Sequence, residues 1–215
     1  MAIEIKFCGM TRAEDAREAA SLGAAFVGVI FAGGPRNLTV ERAVEVLGDL
    51  PHSVRRVGVF ANADEQVTEN AARLGLHAIQ LHGHYDIGAI ARIRRHFPGE
   101  VWTVVRMADA KLPSSAGELF DIADGVLLDA KVPGQLGGSG VALPWRELID
   151  QIQPLREAGR ARLILAGGLR PENVAEAIRL LRPDVVDVSS GVETAPGVKD
   201  RARMRAFRDA VHASS

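Results

Sequence analysis

The sequence predicts an α/β fold, a single (β/α)8 barrel formed by residues 1–215, and three observations point to it. Eight short apolar runs rich in β-branched residues recur, at 3–7, 26–31, 54–60, 77–81, 101–105, 126–128, 163–166 and 185–188. Amphipathic stretches separate them, and several runs are apolar at consecutive positions, as expected of parallel strands covered on both faces. The spacing stays near-regular along the whole chain, with no composition break and no linker. A doubly wound sheet uses the same alternation, but a barrel can be as short as ~200 residues and accommodates eight units more simply.

The helices that should follow the strands have readable starts. After the first run, Thr11-Arg-Ala-Glu14 has the form of a capping box. After the second, Thr39 precedes Val40, Ala43, Val44 and Leu47 on one predicted face. Asn62-Ala-Asp-Glu65 offers a start after the third, and residues 114–122 fit a short helix after the fifth. After the seventh, Pro171 suits a first helical position, with Val174, Ala177, Ile178 and Leu181 at i, i+3, i+4 and i+7. The last helix should begin near Asp200 and bury Met204, Phe207 and Val211.

Composition narrows the function. Hydrophobic residues make up 47%, charged residues 25%, and net charge is −1. No strong field draws such a chain to nucleic acid or anionic lipid. One cysteine permits neither an intramolecular disulfide nor a thiolate metal cluster. No apolar run approaches the ~18 residues of a membrane span, and the first residues do not read as a leader. A cytoplasmic protein acting on a small molecule is expected, with no nucleic-acid or membrane partner.

In a barrel, chemistry sits where strands end and the following loops begin. The polar residues there are Cys8, Arg36, Gln80 with His82, Arg106, Asp129, Gly167-Gly168, and Asp187-Val-Ser-Ser-Gly191. Gly167-Gly168 with Ser189, Ser190 and Gly191 fits a phosphate cradle, since loops seven and eight and a short extra helix bind phosphate in many barrels. The glycine pair would also serve as a plain tight turn. Cys8 and Asp129 place a thiol and a carboxyl across the mouth, suited to base and acid in a proton transfer. A free cysteine is equally at home as a small buried hydrophobe. Residues 132–140, with four glycines and a proline, fit a lid or a surface loop. A metal site is disfavoured, because His82 and Asp129 lack further ligands.

The series Lys6-Phe-Cys-Gly-Met-Thr11, Pro35-Arg36, Arg56-Val-Gly-Val-Phe60, Gln80-Leu-His-Gly83, Leu127-Leu-Asp129, Gly137-Gly-Ser-Gly140, Ala166-Gly-Gly-Leu169 with Pro171-Glu-Asn173, and Asp187-Val-Ser-Ser-Gly-Val-Glu193 resembles the phosphoribosylanthranilate isomerase family. The likeness runs in order from residue 4 to about residue 200. It implies a TIM barrel that needs no cofactor or metal and works as monomer or homodimer. The implied reaction is an Amadori rearrangement of N-(5-phosphoribosyl)anthranilate in tryptophan biosynthesis. It further implies Asp129 as general acid, Cys8 as general base, Arg36 on the anthranilate carboxylate, and His82, Gly138 and Asp187 at the substrate. Two loops depart from the family pattern: residues 31–36, with Gly33-Gly34, and the segment ending Val141-Ala-Leu-Pro-Trp145. The aminoaldose isomerase of histidine synthesis is the nearest alternative, but would carry an aspartate where this chain has Cys8. A non-catalytic phosphometabolite-binding barrel would keep the cradle and leave the Cys8/Asp129 pair without a purpose.

Overall fold

The computed structural model describes residues 2–83, 87–107, 111–130 and 145–214. Its strands are β1 (Glu4–Phe7), β2 (Phe26–Phe31), β3 (Arg55–Phe60), β4 (Ala78–Leu81), β5 (Glu100–Met107), β6 (Gly125–Ala130), β7 (Arg162–Leu165) and β8 (Val185–Val188). All pair in parallel in chain order, and β8 closes back on β1, with Lys6 opposite Asp187. The helices are α1 (Ala13–Ser21), α2 (Val40–Leu47), α3 (Glu65–Leu74), α4 (Gly88–Arg94), α5 (Ala116–Ile122), α6 (Trp145–Ala158), α7 (Val174–Leu181) and α8 (Arg201–His212). After β8 come a 3-10 turn, Ser190–Val192, and a small hairpin of β9 (Glu193–Ala195) and β10 (Val198–Lys199). Among the described residues, no helix is long and apolar enough to cross a membrane.

Side chains alternate along each strand between the barrel interior and the helices. On β1, Phe7 points outward and meets Phe207 of α8 edge-on, at 6.1 Å between ring centroids. Glu4, Lys6 and Cys8 point inward. Glu4 belongs to a ring that closes the N-terminal pole, in which odd strands supply alternating charges: Glu4, Arg55, Glu100 and Arg162. Above the ring, Phe26 and Trp102 meet edge to face at 4.9 Å, and the Arg55 guanidinium lies 3.8 Å from the Phe26 centroid. Val57, Leu127 and Ile164 complete this apolar plug. The barrel interior is therefore filled from below, which leaves its C-terminal mouth as the end where strand-end side chains can meet a ligand.

Several helix starts differ from the sequence expectation. Helix α1 begins at Ala13 with no side-chain cap, because the Thr11 hydroxyl instead donates to the Gly197 carbonyl at 2.6 Å. Helix α3 begins at Glu65 after Asp64, again without a side-chain cap, so Asn62 lies outside it. Pro171 lies in a turn before α7; Asn173 fixes that turn by accepting from the Arg170 amide at 2.9 Å and donating to the Gly168 carbonyl at 3.0 Å. In α2, Thr39 does cap, accepting from the Arg42 amide, but the buried face is Ala43, Val46 and Leu47. Val44 is instead an exposed hydrophobic side chain, at 43%. Helix α8 starts after Asp200, which caps it, and buries Met204, Phe207 and Val211 as expected.

Candidate functional site

One pocket opens at the C-terminal mouth, lined by residues on or just after each strand but β5. Cys8 faces it from the end of β1, Asp129 from β6, Gln80 and His82 from β4, and Asp187 from β8. Ile30, Ala32, Val59 and Leu127 form an apolar wall, and Arg36 stands beside it. Gly167, Gly168, Ser189 and Ser190 line the far end. The structure thus brings together Cys8, Arg36, His82, Asp129, Gly167, Gly168, Asp187, Ser189 and Ser190.

Gly191 is not among the residues that line the pocket. It is the middle residue of the turn Ser190–Val192, where a Cβ would come within 1.9 Å of the Leu169 carbonyl oxygen. Gly138, and the whole 132–140 segment, lie outside the described residues. Gly167 and Gly168 take positive φ, 79° and 65°, a backbone that glycine adopts at little cost. Their amides find no backbone acceptor among the described residues and can serve an anion.

Beneath the pocket lies a polar chain that composition alone does not announce. Lys6 is fully buried and donates to Asp187 Oδ2 at 2.8 Å and to Gln80 Oε1 at 3.1 Å. Burial pulls the Lys6 pKa down, but Asp187 and Cys8 outweigh it and the net shift is upward. Because an ammonium only donates, Gln80 must turn its oxygen to Lys6 and its amino group to His82. The Gln80 Nε2 to His82 Nδ1 distance is 3.5 Å. That leaves the hydrogen of a neutral imidazole on Nε2, 3.7 Å from Asp129 Oδ2. Burial, then Arg106 and Lys6, lower the His82 pKa to about 4, so the ring is neutral near pH 7. Arg106, at the end of β5, donates to the His82 carbonyl rather than entering the pocket. Asp187 Oδ1 is buried, has no hydrogen-bond partner among the described residues, and its side chain belongs to the pocket lining.

Cys8 is 6% exposed. Burial raises its thiol pKa; the Lys6 ammonium nearby pulls the other way. Arg36 is held rather than free: its Nε lies 2.9 Å and its Nη2 2.7 Å from the Glu193 carboxylate. Glu193 in turn takes a 2.7 Å bond from buried Lys199. Among the described residues there is no group of three or more His, Cys, Asp or Glu placed to hold a metal ion.

The sequence profile described as N-(5'-phosphoribosyl)anthranilate (PRA) isomerase matches residues 5–210. The chain belongs to this family. A phosphoribosylanthranilate isomerase from Paracoccus denitrificans is 42% identical, with 96% of each chain covered. One from Zymomonas mobilis is 36% identical over 98% of this chain and 99% of its own. The crystal structure of phosphoribosyl anthranilate isomerase from Thermotoga maritima matches with a TM-score of 0.87 at 34% identity, covering 98% of this chain and 99% of that one. A further isomerase structure, with a TM-score of 0.83 and 33% identity over the same shares, is a complex with reduced 1-(o-carboxyphenylamino)-1-deoxyribulose 5-phosphate.

Within this phosphoribosylanthranilate isomerase frame, strand-end reasoning missed Lys6, Glu193 and Lys199. Lys6 had a readable signal, a lone charge inside an apolar run two residues before Cys8 and therefore on the same face. Lys199 had none, since nothing local marks a residue of a two-residue strand as buried.

Proposed function

We infer that this chain is a phosphoribosylanthranilate isomerase, a one-barrel catalytic domain over 1–215. It converts N-(5-phosphoribosyl)anthranilate to 1-(2-carboxyphenylamino)-1-deoxyribulose 5-phosphate by acid–base catalysis in tryptophan biosynthesis. The observation that carries the residue roles is that Cys8 and Asp129 face one pocket, with a glycine–serine backbone end and an arginine end. That arrangement suits a substrate with a phosphate at one end and a carboxylate at the other. Relatives support the same reading, since one isomerase structure holds the reduced product. Another is described as monomers generated from a dimeric isomerase, which leaves monomer or homodimer as the assembly to test here.

Asp129 gives its proton to the ribose ring oxygen as the C1–O bond breaks, and the nitrogen lone pair forms the iminium. The neutral His82 N–H faces Asp129 without adding a fixed positive charge there. Cys8 as thiolate then takes the proton from C2; the C–H electrons form the C1=C2 bond and the iminium pair returns to nitrogen. The enolamine becomes the ketone as C1 gains a proton and the C2 hydroxyl loses one. To reset, one proton returns to Asp129 and one leaves Cys8.

The test is consumption of phosphoribosylanthranilate by the purified protein, followed by loss of substrate fluorescence. Cys8→Ala and Asp129→Asn should each lower kcat by ~10²–10⁴, the usual range for acid–base residues, with far-UV circular dichroism unchanged. A Cys8→Ala protein turning over near the wild-type rate would remove Cys8 from the mechanism.

A further inference from the structure

The Arg36 guanidinium is committed before any substrate arrives. Its Nε and Nη2 fork onto Glu193, at 2.9, 3.2 and 2.7 Å. The fork leaves Nη1 and one hydrogen of Nη2 as the edge free for a ligand. Glu193 is almost fully buried and Arg36 nearly so, with side chains 4% and 13% exposed. Burial pushes the Glu193 pKa up, but Arg36 and Lys199 outweigh it, so the carboxylate stays charged.

Lys199 completes the cluster. Its Nζ donates to the Cys8 carbonyl at 2.6 Å, to Glu193 Oε1 at 2.7 Å and to the Ser189 carbonyl at 3.2 Å. Those acceptors use the three hydrogens of an ammonium, so none is left for a ligand. The backbone N–H of Lys199 donates to buried Asp15, itself paired with Arg12, which anchors β10 to α1. One side chain therefore touches the backbone of the proposed base, the backbone of the phosphate end, and the partner of Arg36. Gly9 shows how tightly they converge: a Cβ there would lie 2.6 Å from Arg36 Cδ and 2.8 Å from Ser189 Oγ.

Two cations share one anion in this cluster. Lys6 is neutralised separately by Asp187. With the Cys8 thiol protonated, one positive charge is left over, and Arg36 lines the pocket with its Nη1 unused among the described residues, so a substrate carboxylate there is balanced.

We propose that Glu193 and Lys199 are positioning and specificity-determining residues, aiming the free edge of Arg36 so that the site selects a substrate bearing a carboxylate at its aromatic end. This rests on the reading of the pocket given under Proposed function. Neither residue touches substrate; both act through Arg36. Glu193 removes the rotational freedom of a long side chain in advance, so less of the binding energy is spent on ordering it. Lys199 keeps the Glu193 carboxylate charged and in place.

The experiment compares N-(5-phosphoribosyl)anthranilate with its descarboxy counterpart, N-(5-phosphoribosyl)aniline, and takes the ratio of their kcat/KM values. Glu193→Gln should lower that ratio roughly ten-fold, the size of one lost charge-assisted hydrogen bond. The loss should fall on KM for the carboxylated compound, leaving kcat and the descarboxy substrate nearly unchanged. Arg36→Met should lower the ratio at least as far, and the double variant should be no worse than Arg36→Met alone. Glu193→Asp keeps the charge beside Lys199 but is one methylene too short to fork onto Arg36, so it should fold normally and still lose selectivity. Calorimetric binding of the reduced product and its descarboxy form to each variant gives the same comparison without turnover. Wild-type protein inactive on both substrates would refute the proposed function, while binding would still judge the brace. Equal losses on both compounds, a multiplicative double variant, or an unchanged ratio in Glu193→Gln would overturn the proposal. So would a Glu193→Gln protein that fails to fold alongside a Glu193→Asp protein with the wild-type ratio.

Discussion

A buried thiol is a poor source of anion, because water no longer stabilises the charge. Burial raises the Cys8 pKa above its ordinary value, and Lys6 is the largest influence opposing it. A base with a raised pKa is mostly protonated at neutral pH, so kcat/KM should rise with pH through the neutral and alkaline range. Removing the ammonium should push the thiol further up and move that limb to higher pH. The variant to use is Lys6→Met with Asp187→Asn, since Lys6→Met alone would strand a buried carboxylate; Asp187 raises the thiol pKa more weakly than Lys6 lowers it, so its neutralisation offsets only part of the displacement. Its deficit should be greatest at low pH and narrow as pH rises, by about ten-fold per unit of displacement. Alkylation of Cys8 by iodoacetamide, followed against pH, should show the same displacement. Parallel pH profiles for wild type and variant would leave Lys6 a packing residue. Cys8 and Asp129 were legible at this scale because each is a reactive group at the end of an apolar run. The Arg36–Glu193 pair was not, since its members are 157 positions apart and only the closed barrel joins them.

The turn Ser190–Val192 faces the loop after β7, and Gly191 is where the two backbones meet. Gly191→Ala would place a methyl group 1.9 Å from the Leu169 carbonyl oxygen, so one loop must move. Inorganic phosphate, tested as a competitive inhibitor, should then bind several-fold more weakly, while kcat changes less. An unchanged inhibition constant would show that the two loops do not hold the phosphate jointly. Strands were the most legible elements: runs 26–31 and 185–188 match β2 and β8 residue for residue. A buried parallel strand announces itself through its own side chains. Helix starts were less legible because a cap is a competition. Thr11 and Glu14 have the right spacing for a box, yet the hairpin residue Gly197, 186 positions later, offers Thr11 a better acceptor. In α2 the periodicity was right and its phase was off by part of a turn, which moved Val46 inward and Val44 outward.

For the molecule as a whole, His82 ties stability to pH. Its pKa is about 4 when folded, below the ordinary 6.5. Above pH 6.5 both states hold the ring neutral and nothing is lost. As pH falls through that value the unfolded chain takes up the proton first, so stability declines until about pH 4 and then levels. The full loss amounts to about 3 kcal/mol. Urea midpoints at pH 7 and pH 4.5 should differ less in His82→Gln than in wild type; equal differences would show that the imidazole does not titrate this way. The overall architecture was legible because eight alternations leave few topologies. What joins the mouth into a working site was not, because those bonds connect distant parts of the chain. One of them has a consequence in time. Lys199 is held by the carbonyl of Cys8, 191 positions earlier. Two segments 191 positions apart are thus both needed to finish the same site. A growing chain cannot complete this site when β8 closes the ring, because Lys199 on β10 has still to be added.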